Sequence, residues 1–209
     1  MSRSLFAWKP VLAALIFCMV GSMHSRAQSS SELNVMPLPA KVQLGSGSLK
    51  IDAGFTLAFT GYHEARLDRA GQRFLAQLNR QTEFVLGQGS AAVSKATLVV
   101  TTEHASKEVQ ELGEDESYTL DIAPVGAKLH AATPLGALHG LQTFLQLVSI
   151  NADGFMAPAV SIQDQPRFPW RGLMIDVSRH FISLPILKRN LDGMEAVKLN
   201  VFHLSLIHI

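Results

Sequence analysis

Cysteine is all but missing from this chain. The single one among 209 residues, Cys18, lies in an apolar N-terminal run, so the rest of the chain can form no disulfide, thiolate metal site or thiol nucleophile. An excess of either charge is missing too: 18 Lys and Arg against 17 Asp and Glu leave a net charge of +1. A nucleic-acid partner finds no basic surplus here, and there is no acidic tail. Gly-x-Gly-x-x-Gly and Walker-type loops are absent, as is the Gly-x-Ser-x-Gly elbow, which leaves nucleotide binding and a serine nucleophile without support. His63-Glu64 opens like a zinc-protease helix, but Leu67 stands where the second histidine must fall. No internal repeat and no Asn-x-Ser/Thr acceptor occurs. Glu114-Asp115-Glu116 gathers three carboxylates and reads as a solvated acidic turn.

Long hydrophobic runs are nearly absent as well. One apolar run, Val11 to Val20, follows Arg3 and Lys9 and precedes Ser25-Arg26-Ala27, whose small residues suit a signal peptidase. It is short for a permanent span, which needs about 20 apolar residues. Phe17 before Cys18 is too large for lipid attachment there. Residues 1–27 therefore read as a signal peptide, and the mature protein as exported to periplasm or medium with no stable membrane anchor.

What the sequence does contain is two kinds of periodicity. Lys41–Leu44 and Leu49–Ile51 flank Gly45-Ser46-Gly47-Ser48 and read as a hairpin, with another strand at Phe55–Phe59. Leu67, Ala70, Phe74, Leu75 and Leu78 recur at helical spacing. Arg66, Arg69, Arg73 and Arg80 sit mostly on the other side, as a solvated face. Thr97–Thr101 is a strand, and Tyr118–Ile122 and Ala127–Ala131 form a hairpin about Ala123–Gly126. Thr133 caps a helix that Pro134 opens at its first position, where a missing N–H costs nothing. Strands broken by two amphipathic helices predict an α+β domain over residues 31–160, mainly antiparallel, with its helices on one face.

Gln163–Pro166 reads as a junction. Beyond it, Leu173–Val177 is apolar enough for a strand buried on both faces. Ser183 caps a helix from Leu184 to Val197 with Leu187, Leu191 and Met194 inward, and Val201–Leu204 is a second strand. This is one strand–helix–strand unit of a parallel barrel or doubly wound sheet, over residues 166–209. In a parallel barrel, functional side chains come from the C-terminal ends of strands, where Asp176, Ser178, Arg179 and His180 fall. Arg171 lies at the start of the same strand. Composition alone pairs Arg171 with Asp164 or Asp176, and reads His180 and His203 as hydrogen-bonded core or supporting residues.

Arg171-Gly172, three apolar residues, Asp176, then Arg179-His180 resemble the opening of the catalytic barrel in family 20 glycoside hydrolases, the β-N-acetylhexosaminidases. Asp192-Gly193-Met194 and Lys198 to Leu204 resemble that barrel's first helix and second strand. Pro37-Leu38-Pro39 and the helix ending Gln142 to Leu147 resemble the α+β domain before it. The resemblance implies a (β/α)8 barrel of which only the first strand–helix–strand is present, since such barrels take about 250 residues. It assigns Arg171 to substrate binding, holding hydroxyls of the terminal sugar through its fork of donors. Asp176, Arg179 and His180 are assigned to support the strand end and its loop. The implied activity removes terminal N-acetylglucosamine or N-acetylgalactosamine from oligosaccharides, by a substrate-assisted retaining mechanism with no metal or organic cofactor. The family's catalytic aspartate–glutamate pair follows the fourth strand, so the chain as printed holds no catalytic residue and is expected to be inactive alone. Ser205 stands where a second histidine is expected, and Leu204 to Ile209 read like a translated sequencing adapter. The alternative reading is a secreted, non-catalytic module that binds carbohydrate or a partner protein. Sugar preference and oligomeric state are not legible.

Overall fold

Two periodicities, 2.0 and 3.6, divide the chain between strands and helices as the residue pattern requires. The structure is a computed structural model that describes residues 33–87 and 91–206. The expected signal peptide lies outside them. The strands are β1 (Lys41–Ile51), β2 (Leu57–Gly61), β3 (Leu98–Thr102), β4 (Tyr118–Ala123), β5 (Gly126–Ala131), β6 (Ser149–Asn151), β7 (Gly154–Asp164), β8 (Gly172–Asp176) and β9 (Val201–Ser205). The α-helices are α1 (Ala65–Thr82), α2 (Pro134–Leu147) and α3 (Leu184–Ala196).

The first seven strands make one sheet in the order β1-β7-β4-β5-β3-β2, with β6 also on β7. β1–β7, β4–β7, β4–β5 and β6–β7 pair antiparallel, while β2–β3 and β3–β5 are parallel. The α+β domain is thus mainly antiparallel, as expected. The β2–β3 pair is parallel because α1 lies between them and a helical crossover returns the chain in the same direction, while β5 lies parallel to β3 because the chain first passes through β4 and turns back on it.

Alternation decides the buried face. Tyr118, Leu120 and Ile122 of β4 and Ala127, Leu129 and Ala131 of β5 are buried, while Asp121, Lys128 and His130 are exposed. α1 and α2 cover that face. Gly71 brings α1 onto β2, since a Cβ there would meet the Phe59 ring at 2.8 Å. Phe55, Phe74 and Phe144 cluster at the centre, with ring centroids 5.7–6.1 Å apart in the tilted arrangements aromatic rings favour. Thr133 caps α2 as its sequence predicts, its hydroxyl accepting from the Gly136 N–H.

The expected first hairpin is not formed. Gly45–Ser48 is no hairpin turn: β1 runs unbroken from Lys41 to Ile51 along β7. Between Leu44 and Ser48 it advances four residues while β7 goes from Val160 to Pro158. The glycines absorb a bulge, with Gly47 at φ +87°, a conformation open to glycine at little cost. The hairpin partner was expected next door, and the true partner lies more than a hundred residues on.

β8 and β9 form a separate parallel pair, in register from Gly172↔Val201 to Asp176↔Ser205. With α3 between them they make the expected strand–helix–strand start of a barrel. The expectation that this strand is buried on both faces is not met: Met174 is exposed and the other β8 residues are intermediate. Leu187 is only half-buried and Leu191 exposed, so of the three residues expected inward on α3, Met194 alone is buried.

Candidate functional site

β8 has two chemically different ends. At its C-terminal end the Asp176 carboxylate accepts from the Ser178 N–H at 3.0 Å and the Arg179 N–H at 3.3 Å, and also from the Ser178 hydroxyl. These bonds, the Ser178 hydroxyl foremost, hold its pKa below the usual carboxylate range. Asp176 therefore shapes the loop rather than offering a free base. Arg179 pairs with it at 3.3 Å but keeps its side chain 89% exposed. His180 is exposed, and so is His203 on β9. Of the two alternatives read from composition, core or supporting residue, the exposure of both histidines among the described residues does not fit the core one.

At its N-terminal end β8 meets a buried charge cluster. Arg171 donates from Nε to the Lys198 carbonyl and from Nη1 to the Phe168 carbonyl, both at 2.7 Å. Its Nη2 pairs with the Glu116 carboxylate. The partner is neither Asp164 nor Asp176, as composition suggested. Glu116 is buried at 4% exposure, which overturns its reading as part of a solvated turn. The parity of β4 carried the missed signal: Glu116 precedes Tyr118 by two, so it shares the buried face of that strand. Glu114 and Asp115 do serve the turn, accepting backbone N–H groups of Lys107, Glu111 and Ser117.

His139 of α2 presents Nε2 to the Glu116 carboxylate at 3.3 Å. A carboxylate only accepts, so this contact places the imidazole hydrogen on Nε2 and leaves Nδ1 a lone pair. Nδ1 is buried without a hydrogen-bond partner among the described residues. Burial, then the nearby charges of Lys198 and Arg171, push the His139 pKa down to about 3. The imidazole is accordingly neutral at pH 7.

Lys198, missed as a functional residue because it reads as a turn, supplies the second buried cation. Its ammonium donates to Asp164 and to the Tyr118 hydroxyl, both at 2.8 Å. Burial lowers the Lys198 pKa, with the Asp164 carboxylate opposing. Burial alone would raise the Asp164 carboxyl, but bonds from Lys198, Tyr118 and the Ala40 N–H outweigh it and leave its pKa lowered. The Tyr118 phenol is pushed well up by burial and by Asp164. Asn200 completes the junction: its Oδ1 accepts from the Arg171 N–H at 2.9 Å and its Nδ2 donates to the Pro169 carbonyl at 2.8 Å.

A cavity of about 270 Å³ lies against this cluster, lined among others by His139, Asp164, Arg167, Arg171 and Lys198. Among the described residues no three His, Cys, Asp or Glu side chains gather as metal ligands would. No described helix is long and apolar enough to cross a membrane. The structure therefore separates the motif: Arg171 anchors the start of β8, while Asp176, Ser178, Arg179 and His180 gather at its other end. The sugar-binding role expected of Arg171 is taken up below as a proposal.

Known proteins match over both parts. The model described as glycosyl hydrolase family 20, domain 2, matches residues 32–165, and that described as the family 20 catalytic domain matches residues 168–208. Beta-hexosaminidase 3 of Arabidopsis thaliana is 34% identical over 92% of this chain and 39% of its own length. Beta-hexosaminidase subunit beta of Sus scrofa is 32% identical over 94% of this chain and 38% of its own. The solved chitobiase of Flavobacterium johnsoniae superposes with a TM-score of 0.79 at 38% identity, covering 84% of this chain and 27% of that one. An N-acetyl-beta-hexosaminidase of Streptomyces plicatus, solved with Thio-NAglucal, gives 0.68 at 28% identity over 81% of this chain and 34% of that one. The chain thus spans about two fifths of the length of these curated relatives.

Proposed function

Because the chain belongs to glycosyl hydrolase family 20, we propose that the whole protein is an exported β-N-acetylhexosaminidase. It would remove terminal N-acetylglucosamine or N-acetylgalactosamine from oligosaccharides. The observation that carries this reading is the parallel β8–α3–β9 unit, with Asp176, Ser178, Arg179 and His180 at its C-terminal strand end, joined to the family's α+β domain. Export rests on the leader pattern of residues 1–27 alone.

The chemistry follows the family's substrate-assisted route. The substrate's own 2-acetamido oxygen attacks the anomeric carbon and the leaving oxygen takes a proton from a glutamate. Water activated by the same glutamate then opens the cyclic intermediate. The glutamate and its aspartate partner belong to barrel strands beyond this chain. The residues present contribute placement: Asp176 folds the loop after β8, and Arg171, Lys198 and Asn200 fix where the strand begins.

An arginine holding sugar hydroxyls is part of the same proposal. The resemblance offers Arg171, but that guanidinium already serves three protein acceptors at the end of the strand away from barrel chemistry. Arg179 projects at the correct end and is mostly in solvent. This geometry favours Arg179 as the group that meets a sugar and Arg171 as the group that holds the strand.

The test is expression of the whole reading frame and assay on a chromogenic N-acetyl-β-glucosaminide beside the matching β-glucoside. Selective hydrolysis of the first is expected, since the glucoside has no acetamido oxygen to attack. Equal rates on both, or none on either, would sink the reading.

A further inference from the structure

The unit β8–α3–β9 is attached to the α+β domain chiefly by polar contacts. Among the described residues beyond 165, Met194 is the one buried apolar side chain. Against it stand Arg171 on Glu116, Lys198 on Asp164, Arg73 on Glu195 at 3.2 Å, and Gln146 donating to the Ala196 carbonyl at 2.8 Å. The α+β domain has its own core in Leu120, Leu129, Phe144 and Ile162, each fully buried. Attachment and domain stability therefore rest on different forces.

We propose that this junction is an acid-operated latch, in which protonation of His139 frees β8–α3–β9 from the α+β domain while the seven-stranded sheet stays intact. The groups facing His139 are Glu116 before β4, Asp164 at the end of β7, Arg171 at the start of β8 and Lys198 after α3, with Arg167 on the shared cavity. At the centre two cations, Arg171 and Lys198, meet two carboxylates, Glu116 and Asp164. A proton on His139 adds a third cation that no further carboxylate balances. The atom that would take it, Nδ1, has no partner in the closed form, and the adjoining cavity gives it a neighbouring space for water.

The direction follows from linkage. In the closed junction the imidazole holds a proton only near pH 3, whereas freed it returns to an ordinary histidine value of about 6.5. The open form binds more protons between these values, so acid favours opening throughout that window. Opening should rise roughly tenfold per pH unit, or ~50-fold from pH 6.5 to pH 4.5. His180 and His203 are exposed while the junction is closed, so opening changes their surroundings little.

Hydrogen exchange of the 209-residue chain, read by mass spectrometry, tests this. Rates at pH 6.5, 5.5 and 4.5 are divided by the intrinsic rate at each pH. Amides of residues 184–206 should gain the ~50-fold excess, with those of residues 118–131 unchanged. His139→Gln keeps an N–H donor for Glu116 but does not titrate, and should lose the excess. The same slope in His139→Gln overturns the latch. So does the absence of any excess in residues 184–206, or an equal rise in both segments. Should His139→Gln not fold, the imidazole resonances of the unaltered chain decide. No titration of His139 down to pH 4.5 together with the ~50-fold excess in residues 184–206 upholds the proposal, and a midpoint near the ordinary ~6.5 in the closed form overturns it.

Discussion

Lys198 reaches Asp164 across 2.8 Å with its side chain only 3% exposed, from a backbone in the left-handed region at φ +60°. The contact ties the turn after α3 to the last residue of β7. The Tyr118 ring lies beneath the ammonium, 4.9 Å from centroid to nitrogen. Its hydroxyl is shared with Thr143 at 2.6 Å and Asp164 at 2.9 Å. The pair is thus embedded in a network that joins the turn after α3 to β4, β7 and α2.

Removing one partner leaves the other charge buried without compensation, which costs about 3–5 kcal/mol. Lys198→Met is therefore expected to lower the unfolding free energy by that order in urea titration. Lys198→Met with Asp164→Asn should recover a good part, because no charge is then stranded. A double variant as unstable as the sum of both single variants would show the pair to be uncoupled.

Two glycines should respond oppositely to alanine. A Cβ on Gly136 would meet the Ser117 carbonyl oxygen at 2.1 Å, and backbone cannot step aside as a flexible side chain does. Gly136→Ala is expected to destabilise by at least the ~1–3 kcal/mol of an overpacked core. A Cβ on Gly193 meets nothing within 4 Å, and the residue lies inside α3. Gly193→Ala should therefore stabilise α3 by up to about 1 kcal/mol. Thermal unfolding of both variants checks the signs.

Asp164 sets an acid limb of its own. Its folded pKa is lowered, below an unfolded value of about 3.9. Its stabilisation is therefore present above ~3.9 and lost as pH falls through the folded pKa. Asp164→Asn should be less stable at pH 7 yet lose stability less steeply below about pH 4. Urea unfolding along a pH series measures it, and parallel slopes for both chains below that pH would exclude Asp164 as the source.

How much of this was legible depends on the range of each interaction. The β4–β5 hairpin, the Thr133–Pro134 helix start and the β8–α3–β9 unit follow from residues within one or two turns of each other, and the sequence predicts them. Gly45–Ser48 has the same composition as a hairpin turn, and only its pairing with Val160 and Pro158 makes it a bulge. Glu116 illustrates the limit for the site. Its neighbours Glu114 and Asp115 argue for solvent, and the groups that justify its burial stand at positions 139 and 171. The motif and the strand end at which each arginine falls were legible as a pattern, but the partners that occupy Arg171 were not, since Glu116 and the Lys198 carbonyl stand 55 and 27 residues away.

That division gives the most direct experiment on the motif. Lysine cannot reproduce the three-way contact of Arg171, since its single ammonium lacks the planar fork. Arg171→Lys cannot serve Glu116 and both the Phe168 and Lys198 carbonyls at once, and leaving the part-buried Lys198 carbonyl without its donor costs about 1–3 kcal/mol, whereas the exposed Phe168 carbonyl can turn to water. Arg179→Lys alters an exposed pair and should stay within about 0.5 kcal/mol of the unaltered chain. In the whole protein the order reverses for substrate: Arg179→Lys is expected to raise KM for an N-acetyl-β-glucosaminide with stability preserved. If Arg171→Lys raises KM while its urea midpoint stays unchanged, Arg171 is the sugar-holding residue after all, and its three protein contacts are ones it gives up on binding.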